Sequence, residues 1–169
     1  MKNNLGTEKH RLDLAIVAEL AQLLNQRGMT LATAESCTGG SIGALLTALP
    51  GSSSWFNGGI ISYTNDAKIN LLGVDAVTIY KQGAVSQEVV EMMAMGGRRA
   101  LAADICVAVS GIAGPDGGSR DKPVGTVWVA WSFREQEVAS ELFHLVGNRG
   151  EVQNRAVHVA VKGIMERFL

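Results

Sequence analysis

The fold is constrained most by one uninterrupted apolar run, residues 105–109 (Ile-Cys-Val-Ala-Val), which lies between turn-forming segments. A run of this length with no polar residue on either face is typical of a strand that is covered on both sides. We therefore predict a strand over residues 104–110 inside a sheet, with a layer of helices on each face of that sheet.

Apolar residues recur at helical spacing in five segments, which supply the covering layers. The predicted helices span residues 8–26, 41–49 and 65–72, with a long fourth helix from Ser86 and a last helix from Asn148. The last helix opens with Asn148 and has Glu151 three residues on, which is the spacing of a capping box.

Four further segments carry strand patterns: residues 30–34, 55–63, 125–133 and 138–146. The last two are predicted to pair as a hairpin across residues 134–137. Helices alternate with strands through the first two thirds of the chain, and the hairpin follows. We therefore predict an α/β fold, a single domain over residues 1–169 with a three-layer arrangement of a mixed sheet flanked by helices.

The composition and charge of the chain limit the kinds of ligand and surface that it is expected to bind. The chain has 169 residues, of which 47% are apolar, and its 15 basic and 16 acidic side chains nearly cancel. This balance does not favour a broad nucleic-acid or membrane surface, so an anionic ligand would need a local site. No apolar run could span a bilayer, and residues 1–9 lack the apolar core of a secretory signal, so we expect a cytoplasmic protein.

Cys37 and Cys106 lie among small or apolar residues, and we expect both thiols to be reduced and buried. His10, His144 and His158 are scattered along the chain and have no partners at the spacing of metal ligands. We therefore expect no metal site and no cofactor. An exposed apolar helix face would be compatible with a homodimer.

The first candidate site is the turn Glu35-Ser36-Cys37-Thr38-Gly39-Gly40, between a strand and a helix. Gly39 and Gly40 let the backbone approach a ligand, and free N–H groups at the start of the helix would favour a phosphate or an oxyanion. A Ser/Thr/Gly cluster before a helix is more often a plain turn and cap. The turn also differs from the G-x-S-x-G nucleophile elbow, because Ala34 and Thr38 occupy the glycine positions.

The second candidate is the pair Tyr63 and Lys68, at the end of a strand and the start of a short helix. A lysine that burial keeps neutral can take the proton of a serine hydroxyl, and a tyrosine can orient or relay that proton. The alternative is that Tyr63 is an edge residue and Lys68 a solvated one, as most lysines are.

The third candidate is the glycine-rich segment that runs from Ser110 through Gly111 and Gly114 to Gly118, with Arg120 and Lys122 at its far end. It would form an anion-binding nest or, alternatively, a mobile structural loop. All three candidates follow strands, and ligands of α/β sheets bind outside the carboxyl ends of strands. We therefore expect the three turns to share one site.

Seven short segments along the chain, taken together, resemble the sequence pattern of a known family, although no one of them does so alone. In order they are residues 33–40, 50–53, Gly58-Gly59 followed by Tyr63 and Lys68, 71–74, 83–86, 110–115 and 122–125. Together they resemble the CinA C-terminal-domain family of nicotinamide-nucleotide amidases, in a stand-alone form without the larger domain that many members carry. The match runs from about residue 10 to residue 165.

The resemblance implies an α/β fold and hydrolysis of nicotinamide mononucleotide to nicotinate mononucleotide and ammonia. It implies Ser36, Tyr63 and Lys68 as the catalytic set. The chain departs from the family pattern at three positions: Asn148 stands where aspartate is frequent, Gln153 where a second arginine is frequent, and Ser110 where threonine is common. These departures bear on substrate affinity more than on the type of reaction.

The resulting hypothesis is a metal-independent acyl transfer. Neutral Lys68, oriented through Tyr63, activates Ser36, and backbone N–H groups of Thr38, Gly39 and Gly40 hold the oxyanion. The predicted substrate-binding residues also include Glu35, Ser110, Gly111, Gly114 and Arg149.

Two alternatives stay open at this point. Glu35 would pair with Lys68 or orient the ligand, or it is a plain carboxylate at the end of a strand. The whole chain would instead be a non-catalytic nucleotide-sensing module, in which the same loops bind phosphate and nothing turns over. The presence of Ser36 with Tyr63 and Lys68 favours the enzyme, because a pure binder does not need all three.

Overall fold

The computed structural model describes residues 4–168, and the side chains of residues 13–167. Its helices are α1 (Asn4–Arg27), α2 (Ser41–Thr47), α3 (Asn65–Leu72), α4 (Ala76–Gln82), α5 (Gln87–Ala100) and α6 (Arg149–Phe168). Its strands are β1 (Leu31–Glu35), β2 (Phe56–Ile61), β3 (Ile105–Gly111), β4 (Thr126–Phe133) and β5 (Ala139–His144). Residues 1–3 and 169 of the predicted domain, and the side chain of His10, lie outside the described residues. In the described part of the chain, no helix is both long enough and apolar enough to cross a bilayer.

The strands form one sheet in the order β2-β1-β3-β4-β5. β2, β1 and β3 run parallel, and β4 and β5 are antiparallel additions that form the predicted hairpin. β3 lies in the middle of the sheet and its first six residues are buried, which explains the apolar run. The prediction of an α/β fold with a mixed sheet flanked by helices is therefore confirmed.

The two faces of the sheet are covered by different helices and differ in the size of their side chains. On one face, α1, α2 and α6 pack over large residues such as Ile105 and Trp131. On the other face, α3, α4 and α5 pack over small residues such as Cys106 and Ala108. Small side chains bring α5 close to the sheet: a Cβ added to Gly97 would lie 2.8 Å from Cys106 Sγ. On the same face, α5 also contacts α3.

Two differences from the sequence predictions bear on the site. The predictions omit α4, because only Ile79 of its seven residues is buried and no apolar stripe marks it. Asp75 caps that helix, and its Oδ2 atom accepts a hydrogen bond from Thr78 N at 2.8 Å. The predicted strand over residues 55–63 ends at Ile61, so Tyr63 lies beyond β2, in the turn that leads to α3.

The start of α6 is as predicted. Asn148 N donates to Glu151 Oε2 at 2.8 Å, and Glu151 N donates to Asn148 Oδ1 at 3.1 Å. This reciprocal pair is a capping box, which fixes where the helix begins. It thereby also fixes the position of Arg149, the first residue of α6.

Candidate active site

Three turns meet at the edge of the sheet where the parallel strands end. Ser36 follows β1, Tyr63 follows β2 and the glycine-rich loop follows β3. Between them lies a cavity of about 270 Å³. Its lining consists of Ser36, Cys37, Tyr63, Asn65, Lys68, Ala84, Val85, Ser110, Gly111, Ile112, Ala113, Gly114, Asp116, Gly117 and Arg149. The parallel topology therefore brings the three predicted candidates together.

The floor of the cavity, formed by Ser36 and Lys68, contains the contact that decides what the site can do. Lys68 Nζ lies 3.0 Å from Ser36 Oγ and also donates to Ser62 O at 2.8 Å. Ser36 is 8% exposed and Lys68 only 1%, so Lys68 is not the solvated lysine of the alternative interpretation. An amine and a hydroxyl at this distance can exchange a proton directly.

The charge of Lys68 is set by its surroundings. Desolvation lowers the pKa of Lys68 from its usual value, because burial disfavours the ammonium form. A Cys37 thiolate would act in the opposite direction, but burial raises the pKa of the Cys37 thiol to about 12. Cys37 is therefore protonated at ordinary pH, and the desolvation of Lys68 favours its neutral amine form, which can accept a proton.

Helix α3 aims Lys68 into the cavity from its first turn. Thr64 caps the helix: its Oγ1 atom accepts from Ala67 N at 3.1 Å, and its carbonyl accepts from Lys68 N at 3.1 Å. The carbonyls of Ser62 and Tyr63, just before the cap, face the amine of Lys68. The predicted bounds of this helix, residues 65–72, are those of α3.

The side chain of Glu35 faces helix α2 and not the cavity, so the prediction that it binds ligand or pairs with Lys68 is wrong. The carboxylate is 1% exposed. It accepts hydrogen bonds from the amides of Gly40, Ile42 and Gly43 and from the hydroxyls of Thr33 and Thr38. A carboxylate at this position stabilises the positive end of the helix and leaves no free amide there for a ligand. Glu35 and Thr38 thus shape the turn that carries Ser36.

Gly39 and Gly40 also hold the turn together. Gly39 N donates to Ser36 O at 3.0 Å, and Gly40 N donates to Glu35 Oε2 at 3.0 Å. Gly40 has a φ of 97°, which glycine adopts without strain and which turns its amide toward the carboxylate. The prediction that these two amides hold an oxyanion is therefore wrong, because both are already used.

Two amides of the same turn remain for a ligand. Among the described residues, the N–H groups of Cys37 and Thr38 make no hydrogen bond to another residue. The hydrogen bond from Gly39 N to Ser36 O closes this turn in the way that the first turn of a helix is closed. The N–H groups at the start of such a turn have no carbonyl partner within it. Both donors directly follow Ser36 in the chain, and Cys37 lines the cavity together with Ser36.

The mouth of the cavity is formed by Tyr63 and Arg149, both exposed. Arg149 donates to the Tyr63 hydroxyl at 2.7 Å and to Gly114 O at 2.8 Å. The hydroxyl of Tyr63 therefore does not orient Lys68, as the sequence hypothesis had it, and only the carbonyl of Tyr63 approaches Nζ, at 3.5 Å. Arg149 makes no ion pair with a carboxylate in the described part of the chain, so its charge is available to an anion.

The glycine-rich loop supplies one wall of the cavity. Ser110 and Gly111 end β3 at the lining, and the Ser110 hydroxyl donates to Ala84 O at 2.7 Å, which ties the wall to the segment before α5. Gly114, with a φ of 82°, presents its carbonyl to the mouth. Lys122 donates to a backbone carbonyl of α4 at 2.6 Å, so it anchors the loop and does not line the cavity.

Neither the cysteines nor His158 belongs to a metal-binding group within the described residues. Cys37 and Cys106 are free and buried, as predicted. His158 Nδ1 lies 2.7 Å from Asp13 Oδ1, where α6 meets α1. Among the described residues, no three His, Cys, Asp or Glu side chains are grouped so that they could hold a metal ion.

The family follows from comparison with known proteins. A family model described as the CinA C-terminal domain matches residues 13–168. The chain belongs to this family. The nicotinamide-nucleotide amidohydrolase PncC of Escherichia coli (strain K12) is 44% identical over 151 residues, which cover 89% of this chain and 92% of that protein. A CinA-like protein of Thermotoga maritima is 43% identical over 159 residues, which cover 94% of this chain and 38% of that protein.

Solved structures of CinA-family proteins have the same fold. The competence/damage inducible protein CihA from Agrobacterium tumefaciens superposes with a TM-score of 0.90 at 36% identity, covering 93% of this chain and 96% of that one. The competence damage-inducible protein A from Klebsiella pneumoniae gives a TM-score of 0.89 at 38% identity, covering 92% and 96%. The family resemblance read from the sequence strings is thus confirmed.

Three polar side chains of this CinA domain contribute to the site without having been predicted. Asn65 and Asp116 line the cavity, and Gln153 Nε2 donates to Cys37 O at 2.8 Å. Asn65 opens a helix and Asp116 lies among glycines, where both residue types are common for purely structural reasons. The one signal for Gln153 was its departure from the family pattern.

Proposed function

We propose that this CinA domain hydrolyses the carboxamide of nicotinamide mononucleotide, giving nicotinate mononucleotide and ammonia. The observation that carries the proposal is the buried Lys68 amine, 3.0 Å from the Ser36 hydroxyl at the floor of the cavity. The PncC relatives, whose name is nicotinamide-nucleotide amidohydrolase, support an amidohydrolase with this substrate.

The proposed reaction is a two-step acyl transfer through Ser36. Neutral Lys68 takes the hydroxyl proton as Ser36 Oγ bonds to the carboxamide carbon. Lys68 then returns that proton to the leaving nitrogen, the C–N bond breaks and ammonia departs. Lys68, neutral again, takes a proton from water as the water oxygen bonds to the acyl carbon. Lys68 then returns that proton to Ser36 Oγ as the bond between Oγ and the acyl carbon breaks, which releases nicotinate mononucleotide and restores the Ser36 hydroxyl.

The oxyanion of the tetrahedral intermediate needs donors that the fold has not already used. The amides of Cys37 and Thr38 meet this condition, whereas those of Gly39 and Gly40 do not. We therefore assign the oxyanion site to the first pair, with the glycines and Glu35 holding the turn in shape.

The charges around the cavity match those of the proposed substrate. A nicotinamide mononucleotide has a cationic pyridinium ring and an anionic phosphate. The cavity lining contains Arg149, whose guanidinium has no carboxylate partner, and Asp116, whose carboxylate has no hydrogen bond or ion pair with the described residues. We assign Arg149 to the phosphate, and Asp116 provides a negative charge for the pyridinium.

An ammonia-release assay with purified protein and nicotinamide mononucleotide tests this function. We expect steady release of ammonia together with nicotinate mononucleotide. Nicotinamide riboside, which lacks the phosphate, should have a much lower kcat/KM. Binding of the mononucleotide without ammonia release would contradict the proposal and favour the nucleotide-sensing module.

The sequence also leads to expectations about the location and the oligomeric state of the protein. We propose that the enzyme acts in the cytoplasm, where a pyridine nucleotide substrate would be recycled. Homodimer formation stays a prediction, which sedimentation or light scattering would decide.

A further inference from the structure

We propose that Gln153 is a positioning residue, which holds the Cys37 carbonyl and thereby aims the Thr38 amide at the oxyanion formed on Ser36. This inference rests on the proposed function, because it takes Ser36 as the nucleophile. The observation behind it is the hydrogen bond of 2.8 Å from Gln153 Nε2 to Cys37 O, between residues 116 positions apart in the chain.

The turn after β1 has one peptide group that its neighbours leave unfixed. Ser36 N donates to a carbonyl of β3 at 3.0 Å, and Ser36 O accepts from Gly39 N at 3.0 Å. In the peptide that joins Cys37 to Thr38, the N–H group makes no hydrogen bond within the described residues, and the carbonyl is held by Gln153. Because a trans peptide is planar with its C=O and N–H opposed, fixing the carbonyl also fixes the direction of the N–H group.

The hydrogen bond has two physical effects on that amide. It limits rotation of the peptide plane, so the donor is in place before charge develops, and pre-organised donors are the ones that stabilise a transition state. It also polarises the peptide, which makes the N–H group a stronger donor. Gln153 is partly buried, so water competes with this bond less than it would at the surface.

Helix α6 connects this contact to the mouth of the cavity. Arg149 and Gln153 are four residues apart, so they lie on the same face of the helix. One helical turn therefore carries both the guanidinium assigned to the phosphate and the amide that holds the nucleophile turn. The capping box of Asn148 and Glu151 fixes the start of that helical turn.

The test compares substitutions that separate hydrogen bonding from packing. Gln153→Met keeps an unbranched side chain of similar length and removes both N–H donors, whereas Gln153→Arg restores N–H donors. Asn154→Met is the matched control, because Asn154 is the next residue on α6 and is exposed. The readouts are kcat and KM for nicotinamide mononucleotide, with the thermal midpoint of each variant.

We expect Gln153→Met to lower kcat about 10- to 100-fold, somewhat less than outright removal of an oxyanion donor, with KM changed less than about threefold. Gln153→Arg should recover most of the lost kcat, and Asn154→Met should match the wild type. A kcat of Gln153→Met within about twofold of wild type would overturn the inference, as would a loss of kcat in Gln153→Arg as large as in Gln153→Met. A wild-type protein that releases no ammonia would count against the proposed function instead.

Discussion

At the floor of the cavity, Ser36 and Lys68 are hydrogen-bonded to each other and are buried. At the mouth, Tyr63 and Arg149 are also hydrogen-bonded to each other, but both are exposed. Both pairs are joined by hydrogen bonds of similar length. They differ in solvation, and solvation decides what each pair can do. Desolvation lowers the pKa of Lys68 and so favours its neutral form, which has a lone pair. Arg149 stays charged in any setting and, at the surface, can exchange its protein partners for those of a ligand.

Substitutions at the floor and at the mouth should therefore affect different kinetic constants. A group that acts only as bonds change lowers kcat when it is removed, whereas a group that binds ground state and transition state equally raises KM. We therefore expect floor substitutions to lower kcat and mouth substitutions to raise KM. Each prediction below tests or refines this division.

Ser36→Ala should have the largest effect, a fall in kcat of at least about 1,000-fold, because no other hydroxyl among the described residues is bonded to Lys68. Binding of nicotinamide mononucleotide, measured by calorimetry, should be retained, since the mouth is untouched. Ammonia release at the wild-type rate would remove Ser36 from the role of nucleophile.

Arg149→Leu should come next and act on KM. Loss of a charge-assisted contact to the phosphate should raise KM about 10- to 100-fold and change kcat much less. Steady-state kinetics with the mononucleotide measure this, and Arg149→Lys, which keeps the charge without the planar fork, serves as the control with an intermediate KM. A loss in kcat alone would place Arg149 in the chemistry and break the division between floor and mouth.

Tyr63→Phe should have a small effect, within about tenfold in kcat/KM, because Arg149 is the one described residue that its hydroxyl contacts, and Arg149 keeps its bond to Gly114. This prediction departs from the catalytic role that the family resemblance implies for Tyr63. The measurement is kcat of the Tyr63→Phe variant beside that of the wild type. A fall in kcat as large as that of Ser36→Ala would show that the hydroxyl takes part in proton transfer.

Chelation should have the smallest effect of all. In the proposed mechanism Ser36 is the nucleophile and Lys68 the base, and no step is assigned to a metal ion. Ammonia release should be the same before and after dialysis against EDTA. Activity that is lost on dialysis and restored by a divalent cation would contradict the mechanism.

The parts of the molecule that the sequence predicts well are those with local signals. The apolar run of β3, the capping box of Asn148 and Glu151 and the bounds of α3 depend on residues within a few positions of each other. Lys68 could be chosen as a site residue because it follows a strand end and matches a family string. Its burial depends on the packing of α3 against α5, which the sequence alone does not show.

The parts that the sequence predicts poorly depend on which way a side chain turns. Glu35 at the end of β1 could face either the cavity or α2. It faces α2 because the amides of Gly40 and of the first turn of that helix donate to its carboxylate. Tyr63 is drawn to Arg149, which is 86 positions away in the chain. Long-range contacts of this kind leave no local pattern.

The central claim is that a neutral Lys68 at the floor of the cavity takes the proton of Ser36, and the pH dependence of kcat tests it most directly. The protonated amine has no lone pair, so kcat should fall as pH falls through the lowered pKa of Lys68. Lys68→Arg, a permanent cation, should lose about 100-fold or more at every pH. The claim would be contradicted by a Lys68→Arg variant that keeps a substantial kcat and the same acid limb as the wild type, because the base would then lie elsewhere.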